Sequence, residues 1–249
     1  LAKQLPDMPR MLLHRLARAY GTRIDRLLGD ARMPADLGED LGGGLHEREI
    51  AYLVDQDEAV VQGFRLSSQT YGARFAGAYA LSKAAKLSYQ ASYARQQDWH
   101  RNPNDYAADY WLADVAAAFA GPRLGAGYEV FGASDGRPFT SIQTPLAAVF
   151  KFNGWAEKFT PKPPDGLRDL YASGGWGWKQ VGRAKNLSVT AMWHRFESDR
   201  LVRHYGDEID LLAQGTIGRT TASLRLADYR ADKAATDTRK LWLQLDWAL

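Results

Sequence analysis

The sequence contains no cysteine among its 249 residues. Without thiols the protein forms no disulfide, offers no thiolate ligand to a metal and has no thiol nucleophile. This absence does not identify a cellular compartment, because proteins of several compartments lack cysteine. Any chemistry of the chain therefore depends on its other polar side chains.

Long apolar runs are also absent, although 45% of the residues are hydrophobic. No run reaches the roughly 18 apolar residues that a transmembrane helix needs, so the sequence predicts no such helix. The lack of a long apolar run does not exclude transmembrane strands, because only alternate residues of such a strand need be apolar. The net charge of +3 is small and no basic run is dense, which argues against a nucleic-acid partner.

Patterns that indicate catalysis are scarce. The five histidines lack metal-ligand spacing, and His46-Glu47-Arg48-Glu49 has no second histidine. Gly42-Gly43-Gly44 lacks the lysine of a phosphate-binding loop, and no Gly-x-Ser-x-Gly motif occurs. We therefore predict no catalytic, cofactor-binding or metal-binding residue, and we expect that the protein is not an enzyme.

The first part of the chain has helical periodicity. A start signal at 6–9 precedes apolar residues at helical spacing, and shorter helical stripes follow around 24–28 and 45–54. The pattern predicts a small helical region over 1–58 and a junction at 59–63. The residues of the first stripe are Leu12, Leu13, Leu16, Ala17 and Tyr20.

From residue 64 to residue 249 the period changes to two, which is typical of strands. Apolar and aromatic residues alternate with small or polar ones, as in Leu187, Val189, Ala191 and Trp193. Nine strands are predicted, at 64–80, 86–97, 108–120, 123–132, 168–179, 186–197, 206–214, 219–230 and 239–249.

The connections between these segments alternate in length. The short ones lie near 81–85, 121–122, 180–185 and 215–218, and the long ones near 98–107, 133–167, 198–205 and 231–238. Tight turns that alternate with long polar loops are typical of an up-and-down outer-membrane barrel. Alternation by itself, without this order of loops, would also fit a soluble β-sandwich. We therefore predict a mainly β fold, an antiparallel up-and-down transmembrane β-barrel segment.

The alternation assigns the side chains to two faces of the predicted sheet. The polar face is expected to line a lumen and to influence solute selectivity. Its charged candidates are Arg74, Lys86, Asp114, Glu129, Asp169, His194, Asp210, Arg225 and Asp246. The other face is expected to meet lipid with an aromatic girdle. The girdle candidates are Tyr71, Tyr89, Tyr93, Trp111, Tyr128, Trp176, Trp178, Trp193 and Trp247.

Two features of the barrel allow further expectations. Some of the aromatic residues, such as Trp176, also have the shape to stack on saccharide rings, although the girdle is favoured. The loop 133–167 is long and holds the apolar stretch 146–152, so we expect it to fold inward and to constrict a pore.

An odd number of strands does not suit a bacterial barrel, in which the count is even. The chain also begins at Leu1 rather than methionine and shows no signal peptide. We therefore expect further strands and an export signal upstream, so that 64–249 is an incomplete barrel.

Residues 64–249 resemble the C-terminal half of a proteobacterial outer-membrane family, porin-like and related to alginate-export proteins. The matching phrases include Leu66-Ser67-Ser68-Gln69-Thr70-Tyr71-Gly72, Asn102-Pro103-Asn104-Asp105-Tyr106 and Phe152-Asn153-Gly154-Trp155-Ala156-Glu157-Lys158-Phe159. The resemblance implies a passive channel or export pore for small polar or anionic solutes, saccharides among them. It also implies an outer-membrane location, lipid as a partner and no cofactor.

Residues 10–55 resemble part of the C-terminal helical domain of aerobic, FAD-dependent glycerol-3-phosphate dehydrogenase. The match rests on Leu16-Ala17-Arg18-Ala19-Tyr20-Gly21-Thr22-Arg23, Ala35-Asp36-Leu37-Gly38 and 42–49. Because one family is peripheral to the cytoplasmic side and the other is exported, we expect a chimera joined near 55–62. The alternative functions are a non-catalytic fragment of this dehydrogenase and a soluble β-sandwich binding module.

Overall fold

The computed structural model describes residues 45–54, 63–144 and 153–247. These residues are almost entirely β. The strands are β1 (Leu45–Val54), β2 (Ser68–Ser82), β3 (Ala85–Asp98), β4 (Ala107–Ala118), β5 (Pro122–Phe131), β6 (Leu167–Val181), β7 (Ala184–Glu197), β8 (His204–Ile217), β9 (Thr220–Ala231) and β10 (Thr238–Trp247), with a short 3₁₀ helix at Gly63–Leu66.

The ten strands form one antiparallel sheet in sequence order, β1 to β10. The nine strands predicted from 64 onward are confirmed with small shifts of their ends, and the first of them starts at Ser68 because the 3₁₀ helix precedes it. No ladder joins β1 to β10 within the described residues. The structure therefore shows an open meander.

The prediction of a helical stripe at 45–54 is wrong, because these residues form β1. All ten positions pair with Ser68–Gly77 of β2, from Leu45 opposite Gly77 to Val54 opposite Ser68. Helix propensity is a weak local preference, and an open sheet edge that offers a full set of hydrogen bonds overrides it. The predicted helices before residue 45 and the junction at 59–63 lie outside the described residues, apart from Gly63.

The predicted alternation of short and long connections is confirmed. Two-residue turns join β2 to β3, β6 to β7 and β8 to β9, and three residues join β4 to β5. Gly182 and Gly218 open two of these turns with φ of 60° and 62°. Such positive values suit a tight hairpin, whose turn favours glycine. The long connections all lie at the opposite ends of the strands.

The described parts of the longest connection, 132–144 and 153–166, lie against one face of the sheet. Gln143 exchanges hydrogen bonds with Gln96 of β3, at 2.8 and 2.9 Å. Further along, Lys158 donates to Thr238 of β10 at 2.7 Å, and Glu157 pairs with Lys240 at 3.1 Å. One connection therefore contacts strands near both ends of the sheet, which curls around this face.

A small core lies beneath this connection. Phe159 packs against Phe196, Tyr205 and Tyr229, with ring centroids 4.7 to 5.9 Å apart. The rings come from β7, β8 and β9, so the loop residue fills the space between strands. Among the described residues, no helix is both long and apolar enough to cross a membrane.

Candidate functional site

The strand register places all nine predicted lumen candidates on one face of the sheet. Cross-strand neighbours share a face, and Gln90, Asp114, Gly127, Tyr171 and His194 follow each other across β3 to β7. We call this the polar face. Its predicted members are Arg74, Lys86, Asp114, Glu129, Asp169, His194, Asp210, Arg225 and Asp246.

All nine predicted girdle residues lie on the opposite side, which we call the apolar face. The register separates them into two rows. The row nearer the long loops contains Tyr71, Tyr93, Trp111, Tyr128 and Trp193, and the row nearer the short turns contains Tyr89, Trp176, Trp178 and Trp247. Many of these rings are exposed, from Tyr71 at 36% to Trp247 at 74%.

A row of ion pairs, which the sequence analysis missed, borders the loop-side aromatic row on the apolar face. Arg95 pairs with Asp109 at 3.0 Å, Arg195 with Asp207 at 3.2 Å, and Arg239 with Asp228 at 2.6 Å. The Arg195 guanidinium also lies 5.4 Å from the Trp193 ring centroid. From the loops toward the turns, the apolar face therefore passes from charged to aromatic to aliphatic side chains, and the second aromatic row lies toward the turns.

The polar face carries a buried network of acids and aromatics near the long loops. The Tyr110 hydroxyl donates to Glu129 at 2.6 Å. Asp169 lies 2.9 Å from Nδ1 of His194, whose Nε2 is 3.7 Å from Asp210. Asp169 is 1% exposed and Asp210 is fully buried. Buried charges of this kind need partners, because desolvation without them is costly.

The partners come largely from residues 153–166, which we call the strap. The backbone N–H of Trp155 donates to Asp210 at 3.2 Å, and that of Ala156 donates to Glu208 at 2.7 Å. The Asn153 amide donates to Glu129 at 3.0 Å and lies 3.4 Å from Asp169. The strap is thus attached to three strands through their carboxylates.

Lys162 provides the positive charge of the strap. Its ammonium donates to Asn153 Oδ1 at 2.5 Å and to the carbonyl of Phe159 at 3.2 Å, and it lies 4.3 Å from the centroid of the Phe131 ring. Burial lowers the pKa of Lys162 to about 8, although the nearby carboxylates of Glu129 and Asp169 oppose this shift. The carboxylates of Glu129 and Asp169 thus act at longer range on a buried amine.

Gly154 allows the close approach of the strap to β8. Its φ is 84°, and a Cβ added there would lie 2.7 Å from Cδ of Glu208. Both the conformation and the space therefore require glycine at this point.

Further from the loops, Tyr171 crosses over β5 to reach β4. Its hydroxyl donates to Asp114 at 2.7 Å. Gly127 lies between the two strands, and a Cβ there would come within 2.7 Å of Cε2 of Tyr171. The missing side chain of Gly127 is what lets the ring lie across the sheet.

We expect Gly127→Ala to destabilise the protein by about 2 kcal/mol, because the new methyl group overpacks the Tyr171 ring and breaks its bond to Asp114. The measurement is urea unfolding of the folded protein. Gly174→Ala is the matched control, since its Cβ would meet Leu124 at an ordinary 3.8 Å. Equal losses in both variants would contradict this account.

Several members of the network were not predicted from the sequence. Glu208 stands two positions before Asp210, so the same alternation places it on the polar face. The pattern would therefore have predicted Glu208 as a member of the network. Tyr110 and Tyr171 also fall on the polar face by this alternation. Asn153 and Lys162 belong to the loop that was expected to fold inward. That expectation was based on the apolar stretch 146–152, which lies outside the described residues, and not on these two polar residues. The anchors that the structure describes are polar groups together with the buried ring of Phe159.

No three His, Asp or Glu side chains in the described strands and loops are placed to hold a metal ion. The network is held together by hydrogen bonds and ion pairs between protein groups. Its geometry provides fixed charges and a fixed strap.

Comparison with known proteins gives matches that cover only a short segment of the chain. A short segment of the chain is similar to glycerol-3-phosphate dehydrogenases. That of Pseudomonas aeruginosa is 49% identical over 59 residues, which are 24% of this chain and 12% of that protein. Aerobic glycerol-3-phosphate dehydrogenase of Escherichia coli is 40% identical over 57 residues, 23% of this chain and 11% of that protein.

D-erythritol 1-phosphate dehydrogenase of Brucella abortus is 41% identical over 54 residues, which are 22% of this chain. The chain thus spans only about a tenth of the length of the curated relatives that it matches. These matches support the dehydrogenase part of the resemblance. No family model and no solved structure matches the chain, so the porin-like part has no support from these comparisons.

Proposed function

We propose that residues 64–249 form part of an outer-membrane β-barrel channel through which small polar or anionic solutes, saccharides among them, pass by diffusion. The channel would act without a catalytic step or a cofactor. The observation that carries this proposal is an inverted distribution of polarity. The described sheet exposes its large apolar side chains and buries many polar ones.

The apolar face carries exposed side chains along most of its strands. Leu211 is 44% exposed, Leu224 46% and Leu243 70%, whereas Ser88, Gln90 and Ser92 on the polar face are 7 to 8% exposed. Soluble monomers rarely expose contiguous apolar patches beyond a few hundred Å². Lipid would cover this face in a barrel.

The arrangement of aromatic residues fits the same proposal. Tyr71 and Tyr79 lie at the loop end and the turn end of β2, eight residues apart, or about 27 Å along the strand. Strand tilt shortens this projection toward the roughly 25 Å apolar band of outer-membrane barrels. Two aromatic rows with charged pairs beyond one of them match the two interfaces of a bilayer.

The dehydrogenase matches favour a second candidate, a non-catalytic fragment of glycerol-3-phosphate dehydrogenase. That candidate predicts a helical domain, whereas the described residues are almost entirely strands. A soluble β-sandwich is a third candidate, and it requires a second sheet over the apolar face. All ten described strands belong to one sheet, which favours the channel.

The test uses the full chain refolded in detergent. We expect β-rich circular dichroism, heat-modifiable migration on gels and conductance steps in planar bilayers. A chain that stays monomeric in buffer without detergent would contradict the proposal. Helix-dominated circular dichroism with binding to a flavoprotein subunit would favour the dehydrogenase fragment instead.

The strap is expected to narrow the passage. Deletion of 140–160 should raise single-channel conductance at least about twofold, because it removes segments 140–144 and 153–160, which lie against the polar face. The control is deletion of 232–235, which lie in the loop between β9 and β10. This deletion should leave the conductance unchanged. Unchanged conductance after the deletion of 140–160 would contradict a constriction of the passage by this loop.

A further inference from the structure

The strap holds a lysine amine against the side-chain amide of an asparagine, and both groups are buried. The ammonium of Lys162 donates to Oδ1 of Asn153 at 2.5 Å, and the two residues are 6% and 3% exposed. Since a C=O bond measures about 1.2 Å, Nζ lies at most about 3.7 Å from the Cγ carbon of Asn153. This separation is close to the roughly 3 to 3.5 Å at which two reacting atoms are held for attack. The amine and the carboxamide are therefore placed to react.

The surroundings of Lys162 favour the neutral, nucleophilic form of its amine. Both of its described hydrogen bonds go to carbonyl oxygens, those of Asn153 and Phe159, and not to a carboxylate. The centroid of the Phe131 ring lies 4.3 Å from Nζ, and the rings of Phe131 and Phe159 are at most 3% exposed. Because burial lowers the pKa of Lys162 to about 8, about a tenth of the amine is uncharged at pH 7.

Carboxyl groups lie at the nitrogen end of the same amide. Nδ2 of Asn153 donates to Glu129 at 3.0 Å and lies 3.4 Å from Asp169. The Tyr110 hydroxyl holds Glu129 in place with a hydrogen bond of 2.6 Å. When an amine displaces the nitrogen of a carboxamide, the leaving nitrogen has to gain a proton. Glu129 touches that nitrogen and is therefore placed to deliver the proton.

We propose that Lys162 and Asn153 join in an intramolecular isopeptide bond. Nζ of Lys162 attacks Cγ of Asn153, a new C–N bond forms, and the bond from Cγ to Nδ2 breaks. One proton of the neutral amine passes through Glu129 to the departing nitrogen, which leaves as ammonia. The reaction needs no oxidant, cofactor or second substrate, and it takes place once in each molecule. The new bond closes the strap from 153 to 162 into a covalent ring, whether or not the protein is a channel.

Tryptic digestion of the folded full chain tests the proposal without any variant. Trypsin cleaves after lysine and arginine, so it releases 152–158 and 159–168 as separate peptides, because Pro163 protects the bond that follows Lys162. We expect mass spectrometry to find these two peptides joined into one branched peptide, lighter than their sum by one ammonia. Chain that has been kept unfolded in urea should give the two peptides unjoined.

Two separate peptides from the folded chain would overturn the proposal, even if ammonia were lost. Asn153 precedes Gly154, and closure of its side chain onto the backbone nitrogen of this glycine would also release ammonia but would leave the peptides unlinked.

Three variants test the role of each group. Lys162→Arg keeps the positive charge and removes the nucleophile, so it should give no branched peptide. Lys158→Arg is the matched control in the strap, because Lys158 donates to Thr238 instead and the tryptic site is kept, so the link should form as before. Glu129→Gln should slow the linkage after refolding at least about a hundredfold, since a glutamine cannot relay the proton. A branched peptide in Lys162→Arg, or an unchanged rate in Glu129→Gln, would contradict the proposed reaction.

Discussion

Leu211→Lys should destabilise the protein by about 2 to 4 kcal/mol in lipid vesicles, the cost of a lysine near the middle of a bilayer. Leu211 lies on the apolar face, between Ala191 and Leu226 in the register, and is 44% exposed. A lysine there has to lose its hydration or distort the bilayer. The measurement is urea unfolding from vesicles, followed by tryptophan fluorescence.

Leu212→Lys is the matched control on the next residue. Leu212 lies on the polar face, between Thr190 and Arg225, and is half-buried. We expect this variant to lose less than about 1 kcal/mol, since a lysine can reach water on this side. In a water-soluble protein the order would reverse, because replacing an exposed leucine is nearly neutral. Leu211→Lys without a penalty would therefore refute the contact of the apolar face with lipid.

Asp169→Ala should cost about 3 kcal/mol or more, because it leaves His194 buried without its closest acid. Asp169 lies 2.9 Å from Nδ1 of His194 and also faces the Asn153 amide of the strap. Asp169→Asn keeps an acceptor oxygen and should cost less, about 1 to 2 kcal/mol. Urea unfolding in micelles gives the comparison.

Asp246→Ala serves as the control for Asp169→Ala. Asp246 lies on the same face but is exposed, and its described hydrogen bonds come from Gln244. A loss below about 0.5 kcal/mol is expected for this surface position. Similar losses at both aspartates would show that the buried network does not hold the strap.

Alternation from residue 64 onward predicted the faces of the sheet, because a strand repeats every two residues and the pattern is local. Asp114 and Trp111 fall on opposite faces, as the sequence analysis expected. Segment 45–54 was mispredicted for a related reason. Its apolar residues repeat at helical spacing, and nothing in that local pattern records the free edge of β2 to which it pairs.

The strap was predicted only in outline. Loop length and the apolar stretch 146–152 indicated an inward fold, but two of the strap's anchors are the backbone N–H groups of Trp155 and Ala156, which every residue except proline possesses. Such donors leave no signature in a sequence. Their partners, Glu208 and Asp210, are about fifty residues further along the chain, so the pairing follows from the completed sheet rather than from any local pattern.

The alternation of two-residue turns with long loops has a consequence for the order of folding. The hairpins β2–β3, β6–β7 and β8–β9 close over two residues each, so they can form early and independently. The strap binds residues far along the chain, such as Ala156 with Glu208, 52 positions apart, and Glu157 with Lys240, 83 positions apart. Since such distant contacts carry a high entropic cost until the strands are aligned, we expect the strap to dock last. Its docking would then convert a row of pre-assembled hairpins into a filled interior.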